Sequence, residues 1–101
     1  MLNKKIELLI HQYRCIIAWL ECNYPGIYVS TIQDNISLDW RGHELYYNNY
    51  KLTDLLDSKR VTVNDLINCA PLCACLIRKL KEKEPLLEAK IDSAVQMLTI
   101  T

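Results

Sequence analysis

From Asn3 to Tyr24 the apolar positions fall at Ile6, Leu9, Ile10, Tyr13, Ile16, Ile17 and Leu20. Steps of three and four residues stack side chains on one face of a helix, so the spacing predicts an α-helix over 3–24. Pro25-Gly26 ends it, because proline cannot continue the hydrogen-bond ladder and glycine accepts turn geometry. The period then switches from 3.6 to 2. Ile27, Val29 and Thr31 alternate with Tyr28, Ser30 and Ile32. Ile36, Leu38 and Trp40 alternate with Ser37, Asp39 and Arg41, and the pattern returns from His43 to Tyr47. Asp34-Asn35 and Arg41-Gly42 are turn signals between the runs. The pattern predicts a three-stranded antiparallel meander over 27–48, apolar on one face and polar on the other.

Helical signals resume after the meander. Thr53 caps a short helix through Asp57, and Lys59-Arg60 reads as a polar connector. Thr62-Val63-Asn64-Asp65 is a near match to a capping box, in which hydroxyl and carboxylate each accept from the other residue's amide; it opens a helix to about Ala70. Pro71 and Pro85 each suit the first position of a helix, where no amide hydrogen is needed. Further helices are therefore expected from Pro71 to about Lys83 and from Pro85 onward. The last would bury a stripe of Leu87, Ile91, Ala94, Val95 and Leu98. The expected architecture is a single α+β domain over 1–101: an N-terminal helix, a three-stranded antiparallel meander, then three to four short helices packed on one sheet face.

Composition narrows the function classes. Half of the 101 residues are hydrophobic, enough for a core, and twelve Lys+Arg balance twelve Asp+Glu. A net charge of zero argues against a general phosphate-tracking surface, and two glycines leave no glycine-rich nucleotide loop. Lys4 and Lys5 precede Ile6, but Glu7, His11, Gln12 and Arg14 interrupt the apolar run. The stretch Cys15–Leu20 is far short of the ~20 apolar residues a bilayer demands. A cytoplasmic protein with no membrane partner is expected. Five cysteines, Cys15, Cys22, Cys69, Cys73 and Cys75, are an odd number without an export signal, so buried free thiols are expected rather than disulfides. Cys69-x-x-x-Cys73-x-Cys75 lacks the zinc-knuckle spacing, and His11 with Cys15 supplies only two ligands; no metal and no cofactor are expected.

Two surfaces stand out as candidates for binding another protein. On the first helix a second apolar set, Leu8, Cys15, Trp19 and Cys22, clusters within about 60° of the wheel, nearly opposite the main stripe. Such a helix is packed from both sides, either by its own chain or by a partner, with Trp19 as an anchor. The second surface is the polar sheet face. Tyr28, Asp39, Arg41, Glu44 and Tyr46 alternate onto it, with Tyr47 and Tyr50 at its rim. All eight aromatic residues are Tyr or Trp, and these carry a polar handle suited to half-wet surfaces.

Residues 61–90 resemble the helix-turn-helix segments of small phage and bacterial regulators. A capped helix with Asp65, Leu66 and Ile67 is followed by a second helix from Leu72 to Lys83 with a basic end. The resemblance implies a DNA-binding regulator in which Arg78, Lys79, Lys81 and Lys83 hold phosphate, nucleic acid being a partner only on that alternative. The sequence departs from the pattern where bases would be read, carrying Leu72, Cys73, Ala74 and Cys75. No nucleophile–base pair or paired carboxylate with supporting context appears, so no enzyme is expected. The reading that remains is a small accessory or inhibitor protein of phage or mobile-element type, directed at a host complex and acting by steric contact. A self-associating module, with the second face of the first helix as a homodimer seam, is a further alternative.

Overall fold

The computed structural model describes residues 2–58 and 60–99; Lys59, half of the expected polar connector, lies outside them. The chain is α+β. Helix α1 runs Leu2–Asn23 and is followed by strands β1 (Tyr28–Gln33), β2 (Ile36–Arg41), β3 (Leu45–Tyr47) and β4 (Tyr50–Lys51), then by helices α2 (Leu52–Ser58) and α3 (Val63–Thr99). The four strands form one antiparallel sheet in chain order.

Turn chemistry sets the sheet register. Asp34 and Asn35 both have positive φ, 52° and 65°, and join Gln33 directly to its cross-strand partner Ile36. Two successive left-handed residues make a type I′ turn, whose twist matches that of paired strands, and Asp and Asn tolerate it. Asn48 and Asn49 repeat the device at φ 48° and 70° and pair Tyr47 with Tyr50. This second turn creates β4, a strand beyond the expected three. Between β2 and β3 the chain passes through Gly42 at φ 88°, where an added Cβ would lie 3.0 Å from both Gly26 and Tyr28.

The core lies between the inner sheet face and the two long helices. Val29, Leu38, Trp40, Leu45 and Tyr47 point inward, against Tyr13, Ile17 and Leu20 of α1 and Leu66, Cys69, Leu72, Cys73, Leu76 and Leu80 of α3. Trp40 is fully buried, and its indole N–H donates to the Tyr24 carbonyl at 2.8 Å, so the ring is sealed without an orphaned donor. Two lysines on α3 guard the edge strand: Lys79 donates to the Ser30 carbonyl at 3.1 Å and Lys83 to that of Tyr28 at 3.5 Å.

The expected series of short helices is replaced by α2 and one helix of 37 residues that passes through both Pro71 and Pro85. The physical reason is where the prolines fall. Both are exposed, on the face of α3 turned away from the core. Each removes one helical amide, which frees the carbonyls of Ile67 and Lys81 four residues earlier, and both of these residues border solvent. Water can satisfy these carbonyls, and around Pro71 the core stripe on the opposite face, Leu66 to Leu80, holds the helix together.

The expected burial of Leu87, Ile91, Ala94, Val95 and Leu98 is also corrected. Leu87 is half-buried; the other four are exposed, Ile91 at 61% and Val95 at 56%. α1 ends and β1 begins level with residues 83–84, where Lys83 reaches the Tyr28 carbonyl and Tyr24 donates a hydrogen bond from its hydroxyl to the Glu84 carboxylate. Residues 85–99 run on past this point for about 22 Å at the helical rise. The molecule is correspondingly long, 61 × 25 × 20 Å.

Candidate functional site

The best-formed candidate surface is the outer face of α1. Tyr13, Ile17 and Leu20 commit the inner face to the core, with Ile6, Leu9, Ile10 and Ile16 half-buried beside them. The opposite set stays in solvent: Leu8 is 57% and Trp19 38% exposed, and Cys15 and Cys22 are exposed free thiols. The second apolar flank of this helix is therefore open at Leu8, Cys15 and Cys22 and partly covered by its own chain at Trp19. Trp19 is held in place at its edge, its ring lying 5.5 Å from that of buried Tyr24 at 65°. Tyr24 loses water and donates to Glu84, which pushes its phenol up to about 12 and keeps it a neutral donor.

Beside Trp19 the groove between α1 and α3 opens into a shallow cleft of about 410 Å³ lined by Cys15, Ile16, Trp19, Ile77 and Lys81. Ile16 and Ile77 are site residues that sequence reasoning missed, and Lys81 is one it assigned to phosphate instead. Ile77 carried a signal, since it sits to one side of the stripe formed by Leu76 and Leu80. The cleft is apolar with a single cation at its rim. It suits an apolar side chain flanked by a carboxylate.

The outer sheet face is built differently. Cross-strand pairing places Ser30 beside Asp39 and Asp39 beside Tyr46, as alternation requires. Their polar groups then satisfy one another. Ser30 donates to Asp39 at 2.5 Å; Arg41 donates to Asp39 at 3.2 Å and to Asn49 at 2.9 Å, and its guanidinium lies 3.9 Å from the centre of the Tyr46 ring. Glu44 accepts from the Thr53 hydroxyl at 3.3 Å. Tyr28 and Tyr50 are both exposed. Tyr47 does not belong to this surface. It is 5% exposed on the inner face, and its hydroxyl donates to Asp65 at 3.0 Å. Lost hydration and the Asp65 carboxylate push its phenol up to about 12. The physical reason is strand alternation: Tyr46 points out, so its neighbour must point in.

The segment 61–90 does not take the helix-turn-helix shape. Residues 63–99 form one continuous helix, so nothing turns between Ala70 and Leu72 to set a second helix apart. Of the four cations assigned to phosphate, Lys79 and Lys83 are engaged by β1 carbonyls, and Lys81 borders the apolar cleft. Arg78 is exposed on the same helix.

The expected burial of the thiols holds for Cys69 and Cys73 and in part for Cys75, but Cys15 and Cys22 are exposed because they fall on the outer face of α1. Cys69 and Cys73 lie 3.8 Å apart beneath Tyr13; their mutual hydrogen bond and burial push the Cys73 thiol up. Cys75 accepts from Thr31 at 3.4 Å. His11 and Cys15 meet at 3.5 Å on the open surface of α1. Among the described residues no group of three or more His, Cys, Asp or Glu is placed to hold a metal ion, and no helix is long and apolar enough to cross a membrane. Comparison with protein-family models, curated proteins and solved structures finds no match to this chain.

Proposed function

We propose that this chain is a small non-enzymatic binding protein that acts by steric contact, docking on a larger protein through the outer face of α1. The observation that carries the reading is the exposure of Leu8, Cys15, Trp19 and Cys22 on a helix whose other flank already supplies the core. Trp19 is the anchor, because a partly exposed Trp braced by Tyr24 beside an apolar cleft loses little conformational freedom when a partner buries it. The sheet face is the weaker candidate. Its charges already pair with each other, so covering it would cost desolvation without offering an unsatisfied group in return.

The test is affinity capture from the native cell with wild-type chain, Trp19→Asp and Tyr28→Ala, each shown folded by circular dichroism. A partner recovered one-to-one with wild type and Tyr28→Ala, and lost with Trp19→Asp, supports the α1 surface. Equal recovery by Trp19→Asp, or no stoichiometric partner at all, overturns the reading.

A further inference from the structure

The overhang of α3 presents a face with its own geometry. At 100° per residue, Ala94, Leu87, Leu98, Ile91 and Val95 fall within an arc of about 100°, a continuous apolar stripe. The stripe is in phase with Cys69, Cys73, Leu76 and Leu80, so it prolongs the core-facing side of α3 past the edge of the globular body. The segment continues a helix already nucleated in the core, so it needs no new nucleus, but its stripe is left facing water. We propose that a second copy of this chain covers it, the two overhangs pairing antiparallel across a two-fold axis.

Three features of the sequence select this occupant. Leu87, Ile91, Ala94 and Leu98 alternate in steps of four, three and four, which is a coiled-coil seam. In antiparallel register each large residue finds a suitable partner: Leu87 faces the second copy's Leu98, and Ile91 faces the second copy's Ala94. That register is centred between Asp92 and Ser93, and the overhang 85–99 is itself centred on Asp92, so the alignment that matches the side chains also overlaps the two overhangs end to end. The flanks agree. Glu88 meets the second copy's Val95, and Lys90 meets the second copy's Met97, so no like charges oppose one another along the seam edges.

A parallel pair keeps the seam spacing but loses the side-chain match. It would set Glu84 against Glu84 and Ala94 against Ala94. It would also require both globular bodies to occupy the same side of α3, because core face and stripe coincide. The antiparallel pair leaves the bodies at opposite ends. Each helix tip then reaches the Tyr24–Gly26 turn of the other copy. This seam is separate from the outer face of α1 and does not depend on that reading.

The test is sedimentation of the full chain from about 1 to about 500 µM, a range over which mass action shifts a weak dimer from one chain to two. Wild type is expected to move from monomer to dimer. Ile91→Lys is expected to weaken association at least about a hundredfold by burying an unpaired charge, with the near-ultraviolet dichroism of the core unchanged. Ala94→Asp alone is expected to do the same. An equimolar mixture of Ile91→Lys and Ala94→Asp restores the dimer, since antiparallel pairing sets the introduced lysine opposite the introduced aspartate. Trp19→Asp leaves association unaltered. Wild type monomeric at the highest concentration, or Ile91→Lys still dimeric, overturns the seam. Failure of the mixture to associate overturns the antiparallel register.

Discussion

At the scale of single residues, Asp65 links two parts of the fold. Its carboxylate accepts from the Thr62 amide at 3.2 Å and from the Tyr47 hydroxyl at 3.0 Å, while its own amide donates to the Thr62 hydroxyl at 3.1 Å. Partial burial raises its carboxyl, but the donors from Thr62 and Tyr47 outweigh that effect and hold it below the ordinary range. Asp65→Ala is expected to cost about 1 kcal/mol in urea denaturation at neutral pH, the usual value of a lost helix cap. A carboxylate with a lowered folded pKa contributes stability above its unfolded value of about 4 and loses it as pH falls through the folded one. Melting of wild type and Asp65→Asn should therefore converge on acidification. Tyr24 and Tyr47 give the opposite sign. Their phenols, raised from 10.0 to about 12, contribute stability that is full below pH 10 and drains as pH rises towards 12. Thermal melts of Tyr24→Phe across that window should fall less steeply than those of wild type. The capping box was legible in the sequence because it is local. The Tyr47 bond was not, since it joins a strand to a helix cap that only the tertiary fold brings together.

At the scale of elements, periodicity proved a better guide than punctuation. Pro71 and Pro85 read as helix starts, yet the stripe Leu66, Cys69, Cys73, Leu76, Leu80 continues in phase to Leu87, Ile91 and Ala94. A broken helix would restart at an arbitrary phase, so this continuity was evidence for one rod. In β4 the reverse holds: two residues are too few to show alternation, and only the Asn48-Asn49 turn announces them. The two halves of α3 should respond differently to the same change. Leu80→Ala empties a fully buried site and is expected to cost about 2–5 kcal/mol. Ile91→Ala removes exposed surface and, in micromolar solution, is expected to change stability by less than about 0.5 kcal/mol. Chemical denaturation of the pair checks this. Equal costs would place residues 85–99 within the cooperative core.

At the scale of the molecule, length carries the argument. A compact chain of this size has a radius of gyration of about 13 Å. Here it is 16.4 Å, and the excess comes from the overhang of α3. Core residues were readable from the sequence because burial follows local pattern. Whether an apolar stripe is buried by its own chain was not, since that depends on where α1 ends and β1 begins relative to α3. The same geometry fixes the shape of any dimer. Two rods of 61 Å overlapping by about 22 Å along the α3 tips make a particle about 100 Å long. Pairing through the outer face of α1 would instead set the bodies side by side, adding width and little length. X-ray scattering in solution across a concentration series separates these cases. Growth of the longest dimension from about 60 to about 100 Å, with the cross-section nearly constant, is the result expected of the α3 seam. Growth in cross-section at constant length would move the contact to α1, where Trp19 would be the residue that closes it.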